Sequence, residues 1–123
     1  EDDVPPLLQR ALEHGNCPKN MIIKGSKDYI VLDGHIASTV DAPSVASMEC
    51  IGGTGDLVTG LATAFLCAGA HMGESCTAAA RMARLLAQHC APKPGTQISE
   101  LIEKLPEALV AARSVWPASL ASH

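Results

Sequence analysis

Apolar and polar positions alternate along this chain in rhythms that change from block to block. Leu7, Leu8, Ala11 and Leu12 fall at helical spacing behind Pro5-Pro6, with Gly15 as a stop, and predict a leading helix. A turn over Asn16–Asn20 follows. Met21-Ile22-Ile23-Lys24 is a short unbroken apolar run and predicts a buried strand ending at Gly25. Tyr29-Ile30-Val31-Leu32 and Ile36–Val40 flank Asp33-Gly34, the dipeptide that best satisfies a two-residue hairpin turn, because both turn positions require φ > 0. Asp41–Cys50, with Pro43, Ser44 and Ser47, has no period and predicts a loop.

Beyond the loop the rhythm is helical throughout. A helix opens at Gly52-Gly53-Thr54-Gly55-Asp56 and runs to about Ala70, apolar nearly all round and so expected to be buried on every side. A second, from about Gly73 to Cys90, is amphipathic. Thr77, Arg81, Arg84 and Gln88 form a polar stripe, read as solvated or as a basic face for a partner or phosphate, while Ala79, Met82, Ala83 and Leu86 face inward. Pro92 and Pro94 break it; short helices are expected over Ile98–Leu105 and from Pro106 to about Val115, with a frayed tail after Trp116-Pro117. The order gives three blocks in one domain: leading helix and turn over 1–19, strands over 20–41, helices over 52–115. The fold class is α/β, a short sheet with a β-hairpin packed by several helices.

Composition narrows the function. At 123 residues the chain is one domain's worth, able to bury about two-thirds of its unfolded surface. A hydrophobic content of 47% excludes a disordered chain. Nine basic against thirteen acidic residues leave a net charge of −4, so no positive field exists for a nucleic acid. With one Trp, one Tyr and one Phe there is no stacking platform for bases, and the core must be aliphatic and alanine-rich. Five cysteines without a C-x-x-C pair point to a reduced, cytoplasmic protein, and the acidic Glu1-Asp2-Asp3 opening lacks the basic region of a signal peptide. No apolar stretch reaches the ~20 residues a bilayer requires.

The glycine-rich turn carries the candidate chemistry. Glycines let consecutive N–H groups converge on one point, and a helix N-terminus adds roughly half a positive charge there, which together favour an anion. Asp56, in the first helical turn, could act as base on a hydroxyl beside that anion; equally, it could cap the helix, with the glycines there for close packing. The turn is not a Walker A loop, which would carry Lys then Ser or Thr after its last glycine.

In its order of motifs the chain resembles the C-terminal half of the ribokinase-like superfamily, nearest to the ADP- or ATP-dependent NAD(P)H-hydrate dehydratases. The resemblance rests on Ile22-Ile23-Lys24-Gly25, on Gly52-Gly53-Thr54-Gly55-Asp56-Leu57-Val58-Thr59-Gly60, on Leu66-Cys67-Ala68-Gly69, and on the closing helix over Ile98–Leu109. Thiazole and sugar kinases share a looser version. The resemblance implies that Gly53, Thr54 and Gly55 offer N–H groups to a transferred phosphate, in a cofactor-binding set that also includes Gly52, with Asp56 deprotonating a substrate hydroxyl and Lys24 and Gly25 beside the phosphates of ATP or ADP with Mg2+. It implies a lyase or small-molecule kinase in a truncated ribokinase-like domain, with the edge of the sheet covered by a missing N-terminal half or by homo-oligomerisation. A non-catalytic nucleotide-binding or regulatory module, or a fragment of a larger sugar-kinase-like enzyme, is the alternative.

The remaining polar residues read as structural. Cys67 and His71 stand four apart, and Cys17 lies three after His14, but neither pair recruits the four ligands zinc requires, so no metal site is expected and Cys67 is assigned to the core. His89 and Cys90 are adjacent on a helix and point about 100° apart, too far to pair.

Overall fold

The computed structural model describes residues 4–46, 48 and 51–121; the acidic opening at 1–3 and the loop positions Ser47, Glu49 and Cys50 lie outside the described residues. Helix α1 (Pro6–His14) starts behind Pro5 and ends at Gly15, whose φ of 69° places it in the left-handed region. Strands β1 (Met21–Ile23), β2 (Asp28–Leu32) and β3 (His35–Val40) form an antiparallel sheet in the order β1-β2-β3. Asp33 (φ 52°) and Gly34 (φ 82°) make the expected hairpin turn. Register then slips between Ile30 and Val31, which pair with Ser38 and Ile36, so Ala37 is the extra residue of a bulge.

Helices α2 (Thr54–Cys67), α3 (Met72–Cys90), α4 (Ile98–Glu103), α5 (Leu105–Ala111) and α6 (Ala118–Ala121) follow, with a 3-10 turn at Arg113–Val115. α2 stops at Gly69 (φ 107°), where the Gly69 N–H donates to the Leu66 carbonyl and the Ala70 N–H to that of Phe65. α3 is the centre of the molecule. One side meets the sheet, with Cys76 and Ala80 against Ile30 and Val40. The other side, through Ala79, Met82, Ala83 and Leu86, meets Leu57, Leu61 and Phe65 of α2 and Leu101 and Ala108 of α4 and α5. With Phe65 the core's one phenylalanine, close packing falls to alanines on α3, which let neighbouring backbones approach. Among the described residues no helix is long and apolar enough to cross a membrane.

Three expectations need correction. β1 is half-buried, because among the described residues it lies at the edge of the sheet with only β2 beside it. α2 is not buried all round: Leu57, Val58, Leu61, Ala62 and Phe65 are buried, whereas Asp56, Thr59, Gly60, Thr63, Ala64 and Cys67 are exposed. The tail does not fray at Trp116-Pro117. Trp116 Nε1 donates to the Leu109 carbonyl at 2.9 Å, Ser119 Oγ donates to Glu74 Oε1 at 2.9 Å, and Leu120 packs on the core.

Candidate functional site

A pocket of about 320 Å³ opens where the end of β1, the loop before α2 and the outer part of α3 meet. Lys24, Gly25 and Thr54 line it together, although thirty residues of chain separate the lysine from the threonine. Its apolar wall is Val45, Ala46, Met48, Ala83 and Ala87. Lys24 is exposed and has no carboxylate partner among the described residues, so its ammonium is free for a ligand.

Gly53 is the residue on which the glycine turn hinges. It occupies the N-cap of α2 at φ 94°, and a Cβ there would sit 3.3 Å from Ile98 Cγ2. Gly52 and Gly55 have open space where a Cβ would be and lack positive φ, so the local backbone does not demand them. Among the described residues no side chain caps α2, and the first intrahelical bond runs from the Leu57 N–H to the Gly53 carbonyl. The N–H groups of Thr54, Gly55 and Asp56 therefore point out of the helix end without intrahelical acceptors. Asp56 is not a cap. It is exposed and stands about 200° round the helix from Thr54, so the pocket gathers Lys24, Gly25 and Thr54 but not Gly52, Gly53, Gly55 or Asp56.

Arg84 organises the pocket, which the reading of its helix face as solvated did not anticipate. Its side chain is only 13% exposed. Nε donates to Asp28 Oδ2 at 3.0 Å, Nη1 to the Pro43 carbonyl at 3.3 Å, and Nη2 to the carbonyls of Gly25 and Ser26 at 3.2 and 3.1 Å. Asp28 returns its other oxygen to the Gly25 N–H at 3.1 Å. One guanidinium thus ties the 24–28 turn and the Pro43 loop to α3. The available sequence signal was Asp28 itself: a carboxylate opening an apolar strand must find a cation if that strand is buried. With Asp28 committed to Arg84, the free charge of the pocket is the positive one on Lys24.

The other candidates separate cleanly. Cys67 is exposed on the outer side of α2 rather than in the core, and His71 is the N-cap residue of α3. Cys76 is buried, which pushes its thiol pKa up. His89 pairs not with Cys90 but with Glu107, at 3.0 Å. That hydrogen bond, helped by Lys104, holds the Glu107 carboxyl below the usual glutamate range. Among the described residues no group of three His, Cys, Asp or Glu is placed to hold a metal ion.

Comparison with known proteins places one relative beside the chain. An uncharacterized protein of Methanocaldococcus jannaschii is 32% identical over 109 residues, covering 89% of this chain and 47% of the relative. The chain thus spans about half the length of the curated relative it matches. No family model matches the chain, and no solved structure matches it.

Proposed function

We propose that this chain is the nucleotide-phosphate-binding part of a ribokinase-like enzyme of the NAD(P)H-hydrate dehydratase type. The observation that carries the reading is the meeting of Lys24, Gly25 and Thr54 in one pocket beside an uncapped helix start. Lys24 supplies a point charge for phosphate oxygens, the first N–H groups of α2 supply directed donors, and Val45, Ala83 and Ala87 supply an apolar wall for a flat ring. ATP or ADP fits that donor set. Mg2+ would come with the nucleotide, since such ions are held by few carboxylates plus substrate phosphates, and the carboxylate of Asp28 is already committed.

In the catalytic form of this reading Asp56 takes the proton of a substrate hydroxyl. The hydroxyl oxygen forms its bond to phosphorus while the bond to the leaving nucleotide breaks. The placement of Asp56 away from the pocket supports a second reading, a module that binds nucleotide and does not turn it over. Free thiols at Cys17, Cys67, Cys76 and Cys90 suit a reducing, cytoplasmic setting for either.

Thermal unfolding with Mg-ATP, Mg-ADP, NADPH and inorganic phosphate tests the shared part. A ligand at a hundred times its Kd adds about 2.7 kcal/mol, several degrees for a domain of this size. Lys24→Met is expected to abolish the shift while leaving the ligand-free Tm unchanged. Absence of a shift with every ligand, or a shift indifferent to Lys24→Met, overturns the site. Turnover that Asp56→Asn removes separates the enzyme from the binding module.

A further inference from the structure

A second groove, of about 500 Å³, lies between β3, the N-terminal half of α3 and the tail around Trp116. It shares no lining residue with the pocket that holds Lys24. Glu74, Thr77, Ala78 and Arg81 line it at three- and four-residue steps, so α3 gives it one continuous face. Ala37 and Ser38 of β3 form a second wall, and Val115, Trp116 and Pro117 a third. These walls are pinned. The bond from Trp116 Nε1 to Leu109 fixes the indole, and Ser119 Oγ donating to Glu74 ties α6 to α3. The groove is therefore formed before any ligand arrives, and its volume falls within the ~300–1,000 Å³ of small-molecule sites.

The uncommitted polar groups in the groove are donors. Arg81 is exposed and meets no carboxylate among the described residues, whereas all three guanidinium nitrogens of Arg84, one turn on, already donate. Ser38 Oγ and Thr77 Oγ1 lie 2.9 Å apart. In such a pair one hydroxyl donates and the other keeps its own O–H, for which no protein acceptor stands among the described residues. Thr77 is one turn before Arg81, so the spare O–H and the guanidinium serve the same space. Arg113 adds positive charge beside the groove, 5.3 Å from the centre of the Trp116 ring. The carboxylate of Glu74 already accepts from Ser119. It lies seven residues from Arg81, about 10 Å along the helix axis, which admits one negative charge at the arginine and disfavours a dianion. The bulge at Ala37 argues against a strand as the occupant, since a bulged edge does not continue a ladder.

We infer that this groove binds a small monocarboxylate with an apolar body. The planar guanidinium of Arg81 receives the carboxylate in fork geometry, and the spare hydroxyl of the Ser38–Thr77 pair adds a further donor. The apolar body lies against Val115, Trp116 and Pro117. None of this depends on the Lys24 pocket or on a nucleotide.

Trp116 is the one tryptophan of the chain, so its fluorescence reports the groove directly. The chain is titrated with 3-phenylpropionate, with acetate as the head group alone and 3-phenylpropanol as the body alone, and amide shifts of the 15N-labelled chain are followed in parallel. Saturation by 3-phenylpropionate is expected with a Kd of about 1 mM or tighter, and none by acetate or the alcohol. The Ser38 and Thr77 amides and the Trp116 indole N–H are expected among the shifted signals. Arg81→Gln is expected to weaken binding more than about tenfold with the ligand-free Tm unchanged, because the side chain has no ion-pair partner to lose. Lys24→Met is expected to leave binding unaltered. No saturation by about 10 mM in either readout overturns the inference. So does binding that Arg81→Gln leaves intact, or binding that Lys24→Met removes, because the carboxylate then sits elsewhere. Equal affinity for acetate or for the alcohol also overturns it, because only one part of the ligand is then recognised.

Discussion

Replacing Arg84 with methionine removes one side chain and strands several partners. Asp28, whose side chain is 3% exposed, loses its cation, and the carbonyls of Gly25, Ser26 and Pro43 lose charge-assisted donors. Breaking a buried pair from one side costs about 3–5 kcal/mol, because the remaining charge is left without compensation. Here the lower end applies. The guanidinium borders an open pocket, so water reaches the Gly25 and Ser26 carbonyls and part of the carboxylate. About 3 kcal/mol is a large share of the 5–15 kcal/mol that holds a domain together. With a urea m-value of about 2 kcal/mol/M, the midpoint falls by roughly 1.5 M. The decisive assay is a double-mutant cycle of Arg84→Met and Asp28→Asn by urea unfolding. A pair in direct contact gives a coupling of about 2 kcal/mol, and the double variant is expected to lose less than the sum of the singles. Additive losses, or an Arg84→Met cost under about 1 kcal/mol, refute the claim that Arg84 holds the pocket together.

Three further outcomes follow from the structure. Gly53→Ala imposes a Cβ at φ 94° and 3.3 Å from Ile98, so it is expected to cost about 1–3 kcal/mol, measured by urea unfolding; a neutral result contradicts the left-handed N-cap. Ser75 is fully buried and its hydroxyl has no partner among the described residues, so Ser75→Ala is expected to be neutral or stabilising by up to about 1 kcal/mol, and a clear drop in Tm contradicts this. The contact with His89 lowers the pKa of Glu107, so its contribution is complete above the ordinary glutamate value and is lost as pH falls through the lower native one. The Tm advantage of the native chain over Glu107→Gln, scanned in low salt, is expected at pH 6 and shrinks steadily as the pH is lowered below the ordinary glutamate value. An advantage that grows in acid refutes the pairing.

What the sequence determined by itself is what neighbouring residues decide among themselves. The Asp33-Gly34 hairpin follows from two residues that tolerate positive φ. The stop of α1 at Gly15 follows the same rule, and the inward set of α3 follows from its period. The pocket needed the tertiary structure. Lys24 and Thr54 become neighbours only when β1 and the start of α2 pack on α3, and Arg84 finds Asp28 across fifty-six positions. On a helical wheel Arg84 belongs with Arg81 and Gln88; only the fold reveals that the wheel's edge at that point lies under a turn and a loop. The exposed side of α2 marks the same boundary from the other direction. Its composition calls for burial all round, but a helix can be covered only by what is there to pack against it, and the described residues cover one side.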